Sequence, residues 1–182
     1  PQAEPIAVPG FTGNAAWSPD GRELAVVTTR GVVAVRLDNG VVRSLTSETL
    51  DLTSWGSAGT ILGERTDSLR FLNATTGQVT DPGNVFSIHS EFLPDGRRFL
   101  FTGRTKDSGN PDGVYLSSID APTVRRKVLD GRSIVAYAGA YLLFVRDGTL
   151  FAQPFDADRG ELAGEAKAID EGIERVEAGL LH

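Results

Sequence analysis

The chain has 182 residues, a formal charge of −6 and a hydrophobic fraction of 40%, with neither cysteine nor methionine. This length provides one hydrophobic core. The acidic balance argues against nucleic acid as a partner, because contacts to phosphates require a basic surface. No stretch approaches the ~18 uncharged apolar residues of a membrane-spanning helix, so no membrane insertion is expected. The lack of cysteine excludes disulfides, thiol catalysis and cysteine-bound metal.

The first predicted element is a short strand at Pro5–Val8, which Pro9 and Gly10 terminate. It is similar to residues 166–169, and we interpret it as the spare outer strand of a preceding repeat, within residues 1–10. The absence of methionine is typical of a processed product or of a segment excised from a longer polypeptide. Residues 170–182 are then expected to form a tail or the inner strand of a further repeat.

The next element is a hairpin over residues 14–28, with the sequence NAAWSPDGRELAVVT. It has an apolar run that ends in Trp17, a turn at Pro19-Asp20-Gly21, and a second apolar run. Proline sets the backbone for the first corner of a turn, and glycine accepts the positive φ that closes it. Two β-rich runs joined in this way predict a β-hairpin.

The hairpin recurs along the chain as TSWGSAGTILGE (53–64), SEFLPDGRRFLFT (90–102) and, more weakly, VAYAGAYLLFVR (135–146). Trp17, Trp55, Phe92 and Tyr137 mark a repeat of roughly 40 residues, which is the period of propeller blades. We expect these four aromatic side chains to wedge between adjacent blades, where their burial stabilises the fold. The alternative is an aromatic cage around a ligand.

Each repeat predicts four strands with tight connections. A meander repeated at this period indicates an all-β fold of the β-propeller class. The four predicted blades span residues 13–46, 52–81, 86–130 and 134–169. Middle strands such as Leu24–Val27 and Phe99–Phe101 are continuously apolar, as expected of strands covered on both faces.

The phrases WSPDGRELAVV and FLPDGRRFLFTGR resemble the WD-like repeat of TolB-type β-propellers. The run GAYLLFVRDGTLFAQPFDADRGELAGEA (139–166) resembles the propeller region of large bacterial serine/threonine kinases and related sensory proteins. The resemblance covers residues 14–169. It implies a non-catalytic, often extracytoplasmic (periplasmic or cell-surface) domain that binds protein, peptide or a small ligand. We predict no cofactor.

The number of blades departs from that resemblance, because TolB-like propellers close with six or more and four are recognisable here. Three arrangements remain open at this point: a four-bladed ring, a part of a larger ring, and two chains that complete one ring. An open propeller exposes sheet faces and strand edges, which tend to acquire a partner. We therefore expect a homo-oligomer formed through the open propeller edges.

Motifs for catalysis are missing from the sequence. Ser57 lies in WGSAG, which lacks the leading glycine of a nucleophile elbow and predicts a surface turn. The two histidines, His89 and His182, form no zinc-binding pair. In the turns, Asp20, Asp95 and other aspartates are expected to accept backbone hydrogen bonds and not to bind metal. The loop DSGNPD (107–112) alternates oxygen ligands without the distant glutamate of a calcium loop. We predict no metal site.

The candidate ligand-binding surface is the central channel, which the inner strands line. Strand alternation directs Asn14, Thr53, His89 and Glu91 towards it, and His89 and Glu91 share one face. Simple hydration of the channel mouth is the competing interpretation. In the long polar loop of the third blade, Arg104 and Lys106 are candidates for contact with an acidic partner, or for a solvated loop.

Together these observations predict a non-catalytic binding or sensory module that uses the ring face, with rigid sheets presenting variable loops. Two enzymatic alternatives remain: a metal-dependent propeller hydrolase or lactonase, and the accessory propeller of a peptidase. Metal analysis combined with an esterase assay would separate the first of these from a binding module.

Overall fold

The computed structural model describes residues 5–83, 85–104 and 109–171. Every regular element in this part of the chain is a β-strand, and the strands form four antiparallel sheets. Each sheet is a meander of four consecutive paired strands, and the last sheet carries one further strand off that path. The predicted all-β fold class is therefore confirmed. The four sheets correspond to the predicted blades and are called blades below.

The first two blades each contain four strands. Blade one comprises β1 (Phe11–Trp17), β2 (Glu23–Thr28), β3 (Gly31–Arg36) and β4 (Val42–Thr46). Blade two comprises β5 (Asp51–Trp55), β6 (Thr60–Arg65), β7 (Ser68–Asn73) and β8 (Val79–Thr80).

The last two blades continue the pattern. Blade three comprises β9 (Ser90–Phe92), β10 (Arg98–Gly103), β11 (Gly113–Ser118) and β12 (Arg126–Asp130). Blade four comprises β13 (Val135–Ala138), β14 (Tyr141–Arg146), β15 (Thr149–Asp156), β16 (Glu161–Leu162) and β17 (Lys167–Glu171). Both β16 and β17 pair with β15, one at each end of that long strand.

The two predicted flanking segments have different outcomes. Pro5–Val8, predicted as a strand, is irregular and pairs with no described strand. Prolines at both ends of this short stretch remove donors that a ladder would need. Of the predicted tail over residues 170–182, residues 170 and 171 belong to the last strand of blade four, and the remainder lies outside the described residues.

The turns follow the chemistry expected from their sequences. In the turn after β1, Gly21 has φ +68° and its N–H donates to the Ser18 carbonyl at 2.9 Å. The equivalent Gly96 has φ +65° and donates to the Leu93 carbonyl at 2.9 Å. A residue with a Cβ is strained at such φ values, so the glycine fixes where each hairpin reverses.

We call the interface between two consecutive blades a seam. Three hydrophobic clusters hold the blades together, one at each seam. The seam between blades one and two contains Ala16, Ala25, Val27, Val32, Ala34, Leu45, Leu50, Leu52, Ile61, Leu72 and Ala74. The seam between blades two and three contains Leu62, Leu69, Val85, Phe92, Phe99, Phe101 and Tyr115. The seam between blades three and four contains Leu93, Leu100, Val114, Leu116, Leu129, Val135, Leu142, Phe144 and Phe155.

The aromatic residue at the end of each inner strand points towards the preceding blade. Trp55 packs on the cluster that blade one shares with blade two, and Tyr137 packs on the cluster between blades three and four. Phe92 is 8% exposed and lies against Gly56 of blade two. These three side chains form the predicted wedges.

Trp17 corrects that prediction, because its side chain is 62% exposed. Its neighbour Ala16 is buried in the seam with blade two, and successive side chains of a strand point to opposite faces. Trp17 therefore faces the side of blade one on which no described blade lies. Trp17 has the position of a wedge, but no sheet among the described residues packs against it.

Each wedge lies on a cross-strand row of three residues in the preceding blade, beginning with the residue just before that blade's own aromatic. Trp55 packs on the cluster that contains the row Ala16–Ala25–Ala34 of blade one. The row for Phe92 is Ser54–Leu62–Phe71, and the row for Tyr137 is Glu91–Leu100–Leu116. The largest aromatic, a tryptophan, therefore lies on the smallest row.

Candidate functional site

The candidate site is the polar strip along the inner strands β1, β5, β9 and β13, which lie beside one another in chain order. Asn14, Thr53 and Glu91 lie on three of these strands, and His89 precedes β9. The structure does not gather the four residues into one cluster. It places each of them at a seam, where its side chain contacts a neighbouring blade.

Asn14 and Thr53 form side-chain hydrogen bonds across the first two seams. The Asn14 amide donates to Oδ1 of Asp51 at 3.2 Å, at an exposed position. The Thr53 and Ser90 hydroxyls lie 2.8 Å apart and share a hydrogen bond. Thr53 reaches blade three because a register shift between Leu52 and Ser54 displaces it from the regular alternation.

His89 and Glu91 both contact the inner strand of blade four. Oε2 of Glu91 accepts a 3.1 Å hydrogen bond from the Tyr137 N–H. Burial raises the pKa of Glu91, and the Tyr137 hydrogen bond opposes that rise. Burial lowers the pKa of His89, and a hydrogen bond to the Val135 backbone opposes this shift. Each of the two side chains thus has its own backbone partner on blade four.

Glu64 belongs to the same region and was not identified from the sequence. Its side chain is buried on β6, where it lies opposite Asp51 in the ladder, and Oε1 accepts a 2.7 Å hydrogen bond from the Ser87 hydroxyl. Burial raises its pKa to about 7, and the nearby Asp51 charge adds to that rise. The only signal in the sequence is a glutamate that follows the apolar run of a middle strand.

The arrangement around Glu64 can hold and release a proton near neutral pH. The Glu64 carboxyl group also interacts with Ser90, which is fully buried. Glu64 therefore links the Ser87 hydroxyl to the hydrogen-bonded pair Thr53 and Ser90. Among the described residues, no group of three or more histidine, aspartate or glutamate side chains is arranged to hold a metal ion.

The second candidate surface is the rim that carries, in each blade, the connection between the second and third strands. Three of these turns are tight, whereas blade three has a long loop between Gly103 and Gly113. The Arg104 guanidinium lies 4.2 Å from the ring centroid of Phe86 and donates to the Gly109 carbonyl at 2.9 Å. Lys106, the other predicted contact residue, lies outside the described residues, as do residues 107 and 108 of the predicted calcium-type loop.

The turn aspartates accept hydrogen bonds, as the sequence predicts. Oδ1 of Asp95 accepts from the N–H groups of Arg97 and Arg98 at 2.9 and 2.8 Å. Although partial burial acts to raise the pKa of Asp95, these hydrogen bonds lower it overall. Oδ1 of Asp112 accepts from the Tyr115 hydroxyl at 2.6 Å. These carboxylates therefore stabilise the local chain.

Comparison with known proteins gives matches to solved structures alone, since no protein-family model and no curated protein sequence matches the chain. TolB from Acinetobacter baumannii superimposes with a TM-score of 0.63 at 18% identity, covering 87% of this chain. The β-propeller domain of Cps50 (Swd1) from Myceliophteria thermophila gives 0.63 at 18% identity over 92%. A putative TolB from Agrobacterium tumefaciens gives 0.62 at 17% identity over 87%.

The chain has a β-propeller fold. The TolB-like and WD-like resemblance is thereby confirmed at the level of the fold, and the further likeness to kinase propellers stays a prediction. The chain spans 43%, 58% and 64% of the three matched chains, respectively. In the described part of the propeller, packing joins each blade to the next, and no comparable packing joins blade four to blade one.

The propeller fold also defines how the two candidate surfaces are related. The polar strip lies on the inner strands, which border the axis of a propeller, whereas Gly103 and Gly113, the ends of the strands that the long loop of blade three connects, lie on one rim. The described part of the propeller contains no helix that is long and apolar enough to cross a membrane. Both candidate surfaces are built on sheets that apolar packing holds together at the seams.

Proposed function

We propose that this propeller is a non-catalytic recognition module that binds a protein or peptide on its rim. The observation that carries the proposal is the long loop of blade three, which stands on a rim whose other three equivalent turns are tight. Loops on rigid scaffolds are where binding residues concentrate. The three apolar seams provide such a scaffold beneath the loop.

The loop offers a positioned cation to a partner. Arg104 is held over Phe86 and by the Gly109 carbonyl, so less side-chain entropy is lost when it binds. A guanidinium can form two parallel hydrogen bonds to a carboxylate. An acidic segment of a protein or peptide is therefore the partner that this surface fits.

Panning a random peptide library against the immobilised protein tests this proposal. We expect the enriched peptides to be rich in Asp and Glu, and the Arg104→Glu variant to lose their binding. The matched control is Arg22→Glu, an exposed arginine in the turn after β1 on the opposite rim. Enriched peptides without acidic residues, or equal binding by Arg104→Glu, would contradict the proposal.

The channel strip is proposed as a second contact region for a small polar ligand, through Asn14, Thr53, His89 and Glu91. Asn14 is the most accessible of the four. The other three side chains are half-buried and already have partners at the seams, so ligand binding there would have to exchange one hydrogen bond for another. Chemical-shift changes confined to these residues on addition of a ligand would support this role.

Self-association is also part of the proposal. The two end blades each leave one sheet face without a described neighbour, and exposed apolar faces favour association. Sedimentation of the purified chain tests it directly, and a monomer at all accessible concentrations would contradict it.

A further inference from the structure

We propose that Trp17 of one chain inserts into the open face of blade four of a second copy, so that two chains associate head to tail. This inference rests on the proposed self-association and assigns the surfaces that perform it. It is carried by a repeated relationship within the chain: at each of the three seams, the terminal aromatic of one inner strand lies on a defined row of the preceding blade.

Hydrogen bonds fix this correspondence between aromatic and row at two seams. The N–H of Phe92 donates to Oγ of Ser54 at 3.1 Å, and the N–H of Tyr137 donates to Oε2 of Glu91 at 3.1 Å. Ser54 and Glu91 are each the first residue of the row that receives the following aromatic. At these two seams, a backbone hydrogen bond thus joins each wedge residue to the first residue of its row.

Blade four has a row at the same position, and no described aromatic occupies it. The residue before Tyr137 is Ala136, and the ladder places Leu143 and then Ala152 beside it. Ala136 is exposed, and Leu143 and Ala152 are half-buried. On the opposite face of the same sheet, Leu142 is fully buried in the seam with blade three.

The surface around this row is apolar on β13, β14 and β15, and two charged residues of β17, Lys167 and Asp170, border it where they pair with Ala152 and Leu150. Strand alternation places Ala138 and Tyr141 on the same face as Ala136 and Leu143, and Tyr141 is 47% exposed. Leu150 and Pro154 on β15 continue the face and are half-buried. In blades one, two and three, the next blade covers the corresponding sheet face.

Size identifies the occupant as Trp17. The row Ala16–Ala25–Ala34 receives a tryptophan, whereas the rows with larger residues, Ser54–Leu62–Phe71 and Glu91–Leu100–Leu116, receive Phe92 and Tyr137. The row of blade four has alanine at two of its three positions, as blade one has at all three. Among the described residues Trp17 is the wedge without a row, and a second copy of the chain carries the same tryptophan.

The geometry of association follows from the positions of the two surfaces. The wedge lies on blade one and the row on blade four, so each junction joins two different surfaces, and in a two-fold dimer each chain contributes one wedge and one row. Two copies of the four described blades, related by a two-fold axis, would form two identical junctions and close a ring of eight blades. Eight blades lie within the range that propellers adopt.

Sedimentation equilibrium of the full chain and two variants tests this arrangement. The wild type is expected to sediment at twice the 19.4 kDa of one chain. Trp17→Ser removes the wedge and Ala136→Glu blocks the row, and each is expected to weaken dimerisation by at least about 30-fold. Both positions are exposed, so circular dichroism is expected to show unchanged β-structure. Val124→Ser, at a residue that is 71% exposed in the loop before β12, is the control and should remain a dimer.

Mixing the two variants distinguishes this arrangement from other modes of association. Trp17→Ser retains an intact row and Ala136→Glu retains an intact wedge, so the mixture is expected to form a one-to-one complex at a concentration at which each alone is monomeric. A symmetric contact between two Trp17 faces predicts no such rescue, and its absence in a protein that dimerises would overturn the assignment.

Two further results would overturn the inference in distinguishable ways. A monomeric wild type would remove both self-association and this interface, and would leave some other sheet as the occupant of the two faces. A dimer that neither variant weakens would retain self-association and overturn the surfaces assigned here. Peptide binding on the rim is independent of these results, since monomeric Trp17→Ser retains Arg104 and its loop.

Discussion

The Ser87 hydroxyl donates a 2.7 Å hydrogen bond to Oε1 of Glu64 inside the protein, next to the seam between blades two and three. The Glu64 residue is 8% exposed, and burial raises its pKa from the ordinary 4.5 to about 7. This pair has a direct consequence for how stability depends on pH.

Stability is expected to fall as pH rises through the window between these two values. Below pH 4.5 the carboxyl is protonated in both states, whereas between 4.5 and 7 the unfolded chain releases its proton and the folded chain retains it. Above pH 7 the folded chain must bury a charge. The full difference corresponds to about 3 kcal/mol of unfolding free energy. Urea denaturation between pH 4.5 and 8 measures it.

Glu64→Gln separates this effect from the titration of other groups. The variant should show a flatter pH profile than the wild type, because its amide does not titrate and its oxygen still accepts from Ser87. Glu165→Gln, at an exposed position, should follow the wild-type profile. Parallel profiles for the wild type and Glu64→Gln would show that Glu64 is not the group responsible.

Phe99 is expected to be the most costly aromatic to truncate. Its ring is fully buried and lies 5.8 to 6.2 Å from the rings of Phe71, Phe92 and Phe101. Phe99→Ala should lower the unfolding free energy by about 3–5 kcal/mol, since it removes a large apolar group and leaves a cavity. Val124→Ala should change it by less than about 0.5 kcal/mol. Equal urea midpoints for the two variants would contradict the packing described at this seam.

Gly56 is expected to tolerate no side chain. A Cβ at this position would lie 2.7 Å from Cε2 of Phe92 and 2.7 Å from the Gly96 carbonyl oxygen, so both blade three backbone and wedge would have to move. Gly56→Ala should cost about 1–3 kcal/mol. Gly109→Ala is the matched control, because a Cβ there meets nothing within 4 Å. Thermal unfolding of both variants provides the comparison.

The Thr53–Ser90 hydrogen bond should contribute about 1 kcal/mol. Thr53→Val retains the shape of the side chain and removes the hydroxyl that pairs with Ser90. In a double-mutant cycle, Thr53→Val and Ser90→Ala together should cost less than the sum of the single changes, because they share one interaction. Thr80→Val, at an exposed threonine, is the control. Strictly additive losses would indicate that the two hydroxyls do not interact.

The fold was largely predictable because its signals are local. The turn residues Asp20, Gly21, Asp95 and Gly96 specify hairpins through bonds that span a few residues. The repeat period also contains long-range information: Asn14 bonds Asp51 and Thr53 bonds Ser90 over 37 residues, and Ser54 bonds Phe92 over 38. These separations are close to one repeat, so a residue at a seam meets its counterpart in the next blade.

The burial of individual side chains was harder to predict. Trp17 occupies the same place in its hairpin as Trp55, and only the presence of a preceding sheet distinguishes their surroundings. Glu64 illustrates the other limit. Its partner Ser87 lies 23 residues away in a connecting segment that follows no repeat, so neither the burial of the carboxyl nor its altered pKa is encoded in a local pattern.

The match between the size of each aromatic and the row beneath it implies that the blades carry their own order. Exchanging blades two and three would place Phe92 over three alanines and leave a void, and it would force Trp55 onto Glu91, Leu100 and Leu116. A shuffled version of the chain would thus conserve composition, turns and strand propensities and still be penalised at every altered junction. The sizes of the wedge and row residues at successive seams therefore favour the native order of the blades over any other order.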